Sequence, residues 1–527
     1  MLASVPSATV RGISGQSVVV EVHVASGLPA FNVVGLPDAS CREARDRVRA
    51  ALLSSGCSWP GRRITVNLAP SGVPKVGSGL DLAIAIGILV AAGELPAKLV
   101  EGMAFVAELG LDGSLRRVPG TLSLAAAAAS CGAEYAVVAD EAASEANVGS
   151  LLKVRSASSL LDLLASLRGD APWLDPVCGP PPEIEAVVAD MADVAGQPFA
   201  RAALEVAAAG GHNLLMVGPP GAGKTMLAKR LPGLLPPLDH ERAVEATKVH
   251  SVAGIRLPHG GLVSQPPFRA PHHSASTAAL VGGGTRGLRP GEISCAHGGV
   301  LFLDEMGEFS PSVLDALRQP LEEGVIRVSR AVGTASFPAD FLLVGAMNPC
   351  PCGHLGGPDG CRCSDAARAR YARRLSGPLL DRFDLRVHVH RPDPELLIRR
   401  TPGERSSLVG ERVRMARERA ELRGVRCNAD LDASELERLA PLSLEAENLL
   451  RHALTNGGLS ARGLTRVRAV ALTIADLAAV RADGGGGEAG SVPVSLSLES
   501  VAESLAYRAA PVVLDQVEVS HVIRPSA

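Results

Sequence analysis

The stretch "NLLMVGPPGAGKTMLAKRL" (Asn213–Leu231) limits the possible folds more than any other part of the chain. An apolar run, a glycine-rich turn and a helix-like segment follow one another, and Gly218–Thr225 fits G-x-x-x-x-G-K-[ST]. An apolar run without alternation describes a strand buried on both faces, and such strands belong in parallel sheets covered by helices. Glycines let the backbone wrap a phosphate without Cβ clashes, while the N–H groups at the helix start point inward. On this reading Gly218, Pro219, Pro220, Gly221, Ala222 and Gly223 form the cradle. Lys224 supplies a point charge to the β- and γ-phosphates, and the Thr225 hydroxyl ligates Mg²⁺. The expected fold class is α/β.

Two further strands end in polar residues. "GGVLFLDE" (Gly298–Glu305) places Asp304 and Glu305 at a strand's C-terminal end, where ligands bind in open α/β sheets. Asp304 is then a candidate for Mg²⁺ and its bound water, and Glu305 for the general base that polarises an attacking water. "FLLVGAMN" (Phe341–Asn348) ends in an amide that could hold that water. An asparagine before a proline is by itself a turn residue, and it gains weight only as the third strand end in the series. "GPLLDRFD" (Gly377–Asp384) sets Arg382 between two aspartates. A guanidinium there is either locally paired or placed for a phosphate, because burying it alone is costly.

At 527 residues the chain is too long for one core. Residues 1–167 mix strands such as Ser17–Val24 and Ala133–Ala139 with alanine-rich helices; 168–185 is a proline-dense linker; 186–392 alternates strands and helices; 393–527 is helical. "ADGGGGEAGS" (Ala482–Ser491) predicts a flexible loop. Residues Met1–Gln16 lack the pattern of a signal peptide, and "LAIAIGILVAAG" (Leu82–Gly93) is too short to span a bilayer, which predicts a buried helix in a cytoplasmic protein. The net charge of −3 gives no bulk basicity, so a nucleic-acid partner would need a local arginine patch. Four of the ten cysteines, Cys350, Cys352, Cys361 and Cys363, crowd "CPCGHLGGPDGCRC". They suit a structural Cys₄ zinc site, with His354 able to replace one ligand, against the alternatives of free thiols or a redox pair. The six other cysteines read as isolated, buried thiols.

The phosphate loop, the acidic strand end, the strand-end asparagine, "LLDRFD" and "LSARGLTRVRAVALTIADL" (Leu459–Leu477) together resemble an AAA+ ATPase. "PFRAPHHSASTAALVGGG" (Pro267–Gly284), "RPGEISCAHGGVLFLDEMGEF" and "MNPCPCG" are more narrowly similar to the magnesium-chelatase-like ComM/YifB family. That resemblance implies an AAA+ P-loop core with a helical lid, using ATP and Mg²⁺, in which Asn348 is sensor 1 and Gln197 approaches the adenine. It makes Arg382 an arginine finger that serves the nucleotide of a neighbouring copy, and Arg462 the sensor 2, with Arg466 the second choice. Leu472 stands where the family would have an arginine.

The resemblance further implies a hexameric ring acting on single-stranded or branched DNA, with Arg330, and after it Arg327, on a hairpin facing the pore. His272 and His273 of "PHHSAS" fall to a structural or DNA-facing loop. The first block resembles the Lon-protease-like, ribosomal-S5-type α+β fold, with Gly79 at the serine place and Leu122 at the lysine place, hence non-proteolytic; Ser78 with Lys75 is the minor protease reading. The function implied is an ATP-driven DNA helicase or translocase promoting branch migration in recombination or natural transformation. The alternative is a chelatase-type ATPase that remodels a partner protein.

Overall fold

The computed structural model describes residues 1–148, 152–173, 189–284, 288–330, 333–355, 360–399, 402–456, 459–482 and 494–508. Leu214–Val217 is a strand buried at every position. It lies in a wholly parallel five-stranded sheet with the order Phe268–Arg269, Val300–Leu303, Leu342–Met347, Leu214–Val217, Leu385–His388. Because successive side chains point to opposite faces, the strands feed two separate cores. Leu214, Met216, Phe302, Val344 and Val387 pack on one side with the helix Pro198–Gly210 and the lid helices. Leu215, Val217, Leu301, Leu303 and Leu343 pack on the other with Phe309, Leu317 and Phe383. Parallel pairing sends every strand's C-terminal end to one edge of the sheet, so Gly218, Asp304 and Asn348 emerge together.

The amino-terminal block is α+β. One sheet has the order Leu2–Arg11, Ser14–Ala25, Arg63–Ala69, Ala30–Val34, and a second, parallel one joins Met103–Val106, Tyr135–Ala139 and Lys153–Ala157. The expected apolar helix is Asp81–Ala92, buried from Asp81 to Ala91. The expected linker start needs correcting: the helix Leu160–Arg168 carries residue 168, and Trp173 packs against the first block's core with Arg155 over its ring. The indole's apolar area outweighs the local proline density there. Most of the linker, and the glycine run within Ala482–Ser491 that predicts a flexible loop, lie outside the described residues.

One carboxylate joins this block to the ATPase-like one. Glu145, nearly fully buried, accepts from Arg117 Nε (2.9 Å), from the Leu122 N–H (3.0 Å) and from the Ser251 hydroxyl. The Ser251 oxygen in turn accepts from the Gly120 N–H (2.7 Å). A second contact lies at the turn of the first hairpin, where Gly12 sits against Ala335. Among the described residues no helix is long and apolar enough to cross a membrane.

Buried charge also holds the lid. Asp476, fully buried on the helix Ala461–Ala482, accepts from Arg423 (2.6 Å), Arg419 (3.2 Å) and Asn428 (2.9 Å). Glu205 on the helix Pro198–Gly210 accepts from Arg412 (2.6 Å) and Arg481 (2.9 Å), so lid and sheet share a carboxylate. Leu472 is fully buried in the lid's apolar core, a place that would not admit an unpaired arginine. Deleting one partner of a buried pair strands the other charge. Asp476→Ala is therefore expected to destabilise the lid by about 3 kcal/mol, seen as a lower denaturant midpoint by circular dichroism. Glu447→Ala, on an exposed pair with Arg451, should leave that midpoint almost unmoved.

Candidate functional site

The phosphate loop leaves the sheet at Gly218, where a Cβ would come within 2.1 Å of the Val389 carbonyl oxygen, so only glycine fits. Gly221 and Gly223 take φ of 77° and 89°, the left-handed region that glycine enters freely, and the helix begins at Lys224. Lys224 Nζ donates to the Gly218 carbonyl (2.7 Å), the Pro219 carbonyl (3.0 Å) and Asn348 Oδ1 (3.2 Å). Burial pushes its pKa below the ordinary lysine value, against the opposing pull of Asp304 and Glu305. Thr225 Oγ1 donates to Asp304 Oδ2 (2.7 Å), and the Glu305 N–H donates to Asp304 Oδ1 (2.9 Å). The three strand ends singled out in the sequence thus meet as one hydrogen-bonded group. Its chemistry is that of a phosphate site: an ammonium, a hydroxyl beside a carboxylate for a hard cation, and a second carboxylate to accept a proton.

Gln197 lies against the cradle. Its Nε2 donates to the Ala222 carbonyl (3.2 Å) and to that of His390, from a backbone at φ 58°. Glu305 is also held at positive φ, 50°, a strained position for a side-chain-bearing residue. Its carboxylate meets His273 Nδ1 at 3.3 Å. The sequence offered "PHHSAS" only as a structural or DNA-facing loop, so this contact was missed; a histidine pair just after the edge strand Phe268–Arg269 was the available signal.

The cysteines follow Asn348 directly. The Sγ atoms of Cys350, Cys352 and Cys361 stand 3.4, 3.7 and 3.5 Å apart, and all four ligand sulfurs lie within 4.8 Å of one another. A tetrahedron with Zn–S of about 2.3 Å has edges near 3.8 Å, whereas a disulfide needs about 2.05 Å, so the spacing suits a metal and not a bridge. All four positions are cysteine; His354 contributes its backbone N–H, which together with that of Arg362 holds the Cys352 thiol down at about 5. Gly353 packs on the phosphate loop, since a Cβ there would meet Pro220 Cδ at 2.5 Å. The remaining cysteines only partly fit their expectation: Cys41, Cys295 and Cys427 are buried, Cys57 and Cys131 half-buried, and Cys178 lies outside the described residues.

Arg382 lies at the other end of the sheet. Leu385 pairs with Leu214, and Asp384 accepts from the Asn213 N–H (2.9 Å), so the arginine enters where the strands begin and the phosphate loop leaves where they finish. Its side chain is only 5% exposed and is paired with Glu322. Arg462 approaches the same carboxylate at 3.7 Å, and Arg466 pairs with Asp384. Burial lowers the Arg382 pKa, Glu322 raises it, and Arg462 and Arg466 lower it again. An expected edge guanidinium is thus covered in the protomer, because a cluster this positive recruits the nearest carboxylate. Glu322 was not anticipated; sixty residues of sequence hide the pairing.

Arg330 and Arg327 are exposed on the hairpin Val325–Arg330 and Gly333–Pro338, with Arg327 paired to Glu323. In the first block the two residues of the minor protease reading have other partners. The Ser78 hydroxyl donates to Glu108, while fully buried Lys75 donates to the Pro70 carbonyl, so each is engaged elsewhere. Gly79 faces Val118 and Leu124, and Leu122 is buried.

Comparison with known proteins gives the lineage. The model for magnesium chelatase, subunit ChlI, matches residues 190–397, that for subunit ChlI of Mg-chelatase matches 20–142, and that for the ChlI C-terminal region matches 403–483. An uncharacterised protein of Mycobacterium tuberculosis (strain ATCC 25618 / H37Rv) is 47% identical over 476 residues, 90% of this chain and 94% of its own. Competence protein ComM of Haemophilus influenzae is 46% identical over 483 residues, 90% and 94% of the two chains. The uncharacterised protein YifB of Escherichia coli (strain K12) is 44% identical over 481 residues, 90% and 93%. Identity at this level over 90% of the length, on a P-loop sheet preceded by a Lon-protease-like α+β domain, shows that the chain belongs to the ComM/YifB family of magnesium-chelatase-like AAA+ ATPases.

Proposed function

We propose that the chain is the subunit of a cytoplasmic homo-hexameric ring that translocates along single-stranded or branched DNA by hydrolysing ATP, promoting branch migration in homologous recombination or natural transformation. The observation that carries this reading is the place of Arg382. It stands at the beginning of strands whose far ends hold Gly218 and Asn348, so the four-residue strand Leu214–Val217, ~13 Å long, separates it from its own phosphate loop. A guanidinium so placed serves a phosphate on a neighbouring copy. Arg462, and after it Arg466, share that edge. The competence name of the Haemophilus relative favours incoming DNA as the track.

In the pocket, Gly218–Gly223 and Lys224 bind the phosphates and Gln197 borders the base. Thr225 and Asp304 would hold Mg²⁺, which when bound neutralises phosphate charge. Glu305 takes the proton of the attacking water, and Asn348 holds that water in line. The neighbour's Arg382, once Glu322 releases it, stabilises charge spreading over the γ-phosphoryl oxygens, an effect worth roughly three to five powers of ten in rate. Arg330, with Arg327, contacts the DNA backbone in the pore. Ring symmetry multiplies each arginine, so a net charge of −3 is compatible with this role. Cys350, Cys352, Cys361 and Cys363 hold structural zinc beside the phosphate loop. The first block, 1–167, serves DNA binding or ring assembly without proteolysis; 186–392 is the motor and 393–527 the lid.

Mixing tests the shared site. Arg382→Ala and Lys224→Ala proteins, each expected to lose at least 100-fold in ATPase, should regain part of it in mixed rings; verified mixed hexamers without recovery would overturn the trans role. Single-stranded DNA should stimulate hydrolysis, with Arg330→Ala weakening the effect and its salt dependence. A protein stimulated instead only by a partner protein would favour the chelatase-type reading. Elemental analysis is expected to find about one zinc per chain, lost in Cys361→Ser together with Cys363→Ser; metal-free protein with full ATPase would remove the zinc.

A further inference from the structure

His212 stands two residues ahead of the strand Leu214–Val217, and none of the chemistry above uses it. It is buried, and a Cβ on Gly210 would fall 2.1 Å from its Nε2, so the ring fills a seat that only glycine leaves open. That Nε2 lies 2.8 Å from Thr473 Oγ1 on the lid helix Ala461–Ala482. The bonding around the hydroxyl fixes the tautomer. Thr473 donates to the Ala469 carbonyl (3.1 Å) and accepts from Asn428 Nδ2 (3.1 Å), so its remaining lone pair needs a donor, and Nε2 carries the proton. Nδ1 is then a bare acceptor. It faces Asp384 Oδ2 at 3.9 Å and has no hydrogen bond among the described residues. Burial keeps the imidazole neutral, pulling its pKa down to about 4 against the opposing Asp384. Two acceptors cannot bond, so Asp384 is left to the Asn213 N–H (2.9 Å) and to Arg466.

The ring therefore sits where lid, sheet and arginine edge meet. Arg466 and Thr473 are seven residues apart, about two helical turns, and Arg462 is eleven from Thr473, about three turns, so all three share one face of the lid helix. Holding Thr473 sets the rotation of that face on the sheet. It thereby sets where Arg466 and Arg462 leave the helix, ~10 and ~16 Å along it. The next residue in the chain holds the finger: Asn213 Nδ2 donates to the Arg382 carbonyl (3.1 Å), and its Oδ1 accepts from the Leu343 N–H (2.8 Å). Beyond Thr473 the bonds continue through Asn428 to Asp476 and Arg423, the buried pair that holds the lid.

We propose that His212 is a positioning residue for the arginine edge: by donating from Nε2 to Thr473 while leaving Asp384 to Arg466, it fixes the lid helix so that Arg462, Arg466 and Arg382 are presented to the nucleotide of a neighbouring copy. The inference rests on the reading of Arg382 as acting on a neighbour. His212 acts through these arginines and touches neither nucleotide nor attacking water.

The test is ATPase of the full-length protein in homogeneous and in verified mixed rings. His212→Leu removes the donor, and Thr473→Val removes the hydroxyl from the lid side with little change of shape. His212→Gln keeps an N–H donor close to the place of Nε2. His212→Leu and Thr473→Val are each expected to lower kcat about 10-fold with KM for ATP changed less than about two-fold, and the double substitution to be no worse than either. His212→Gln should keep at least about half of the rate. In mixed rings His212→Leu should regain activity with Lys224→Ala, whose arginines are intact, and not with Arg382→Ala. Recovery with Arg382→Ala instead, recovery with neither, or wild-type kcat in His212→Leu overturns the inference and leaves the trans role of Arg382 standing. No recovery in the reference mixture of Arg382→Ala with Lys224→Ala overturns the trans role itself, and the inference with it. If His212→Leu fails to assemble, Thr473→Val gives the same mixing readout.

Discussion

Parallel pairing of Leu214–Val217 with strands on both sides is the constraint from which the rest follows. Because parallel neighbours all finish on the same edge, a loop, an acidic pair and an amide from positions 218, 304 and 348 become one hydrogen-bonded group without any contact in sequence. The same geometry sends what precedes a strand to the opposite edge. Arg382 is there because Leu385–His388 begins there, and no side-chain rearrangement within one subunit brings it across the sheet. Polarity of the strands divides the molecule into a side that holds nucleotide and a side that offers cations.

Charge, and not only apolar area, joins the pieces. Asp476, Glu205 and Glu145 are each buried and each answered by more than one donor, and each lies between elements that distant parts of the chain supply. Such joints add little net stability over a well-packed apolar contact, but they are intolerant of a missing partner. That suits a machine whose parts must keep register while bound ligands come and go. Arg382 differs in that the carboxylate covering it, Glu322, is itself about half exposed.

Much of this was legible in the sequence because the chemistry is local. Glycine at 218, 221 and 223 answers a backbone requirement, and Asp304, Glu305 and Asn348 each follow a run of buried apolar residues that announces its own strand. The apolar helix Asp81–Ala92 was equally plain, being buried on all sides. What stayed hidden depends on pairs far apart in the chain. Glu322 covering Arg382, His273 on Glu305, and Ser78 turning to Glu108 instead of Lys75 are choices among many polar partners, settled only when strands and loops are in place. Trp173 shows the opposite failure, one large ring anchoring a segment whose prolines announced a linker.

The carboxylate of Glu145 has a practical corollary. It bonds its own block through Arg117 and Leu122 and the ATPase block through Ser251, while Gly120 reaches the same serine. Cutting the gene after the first block would leave an acid without its hydroxyl on one fragment and a bare apolar seat for Ile13 on the other. Neither half is a spare part, and dissection of this protein by truncation would measure the wound as much as the remaining function.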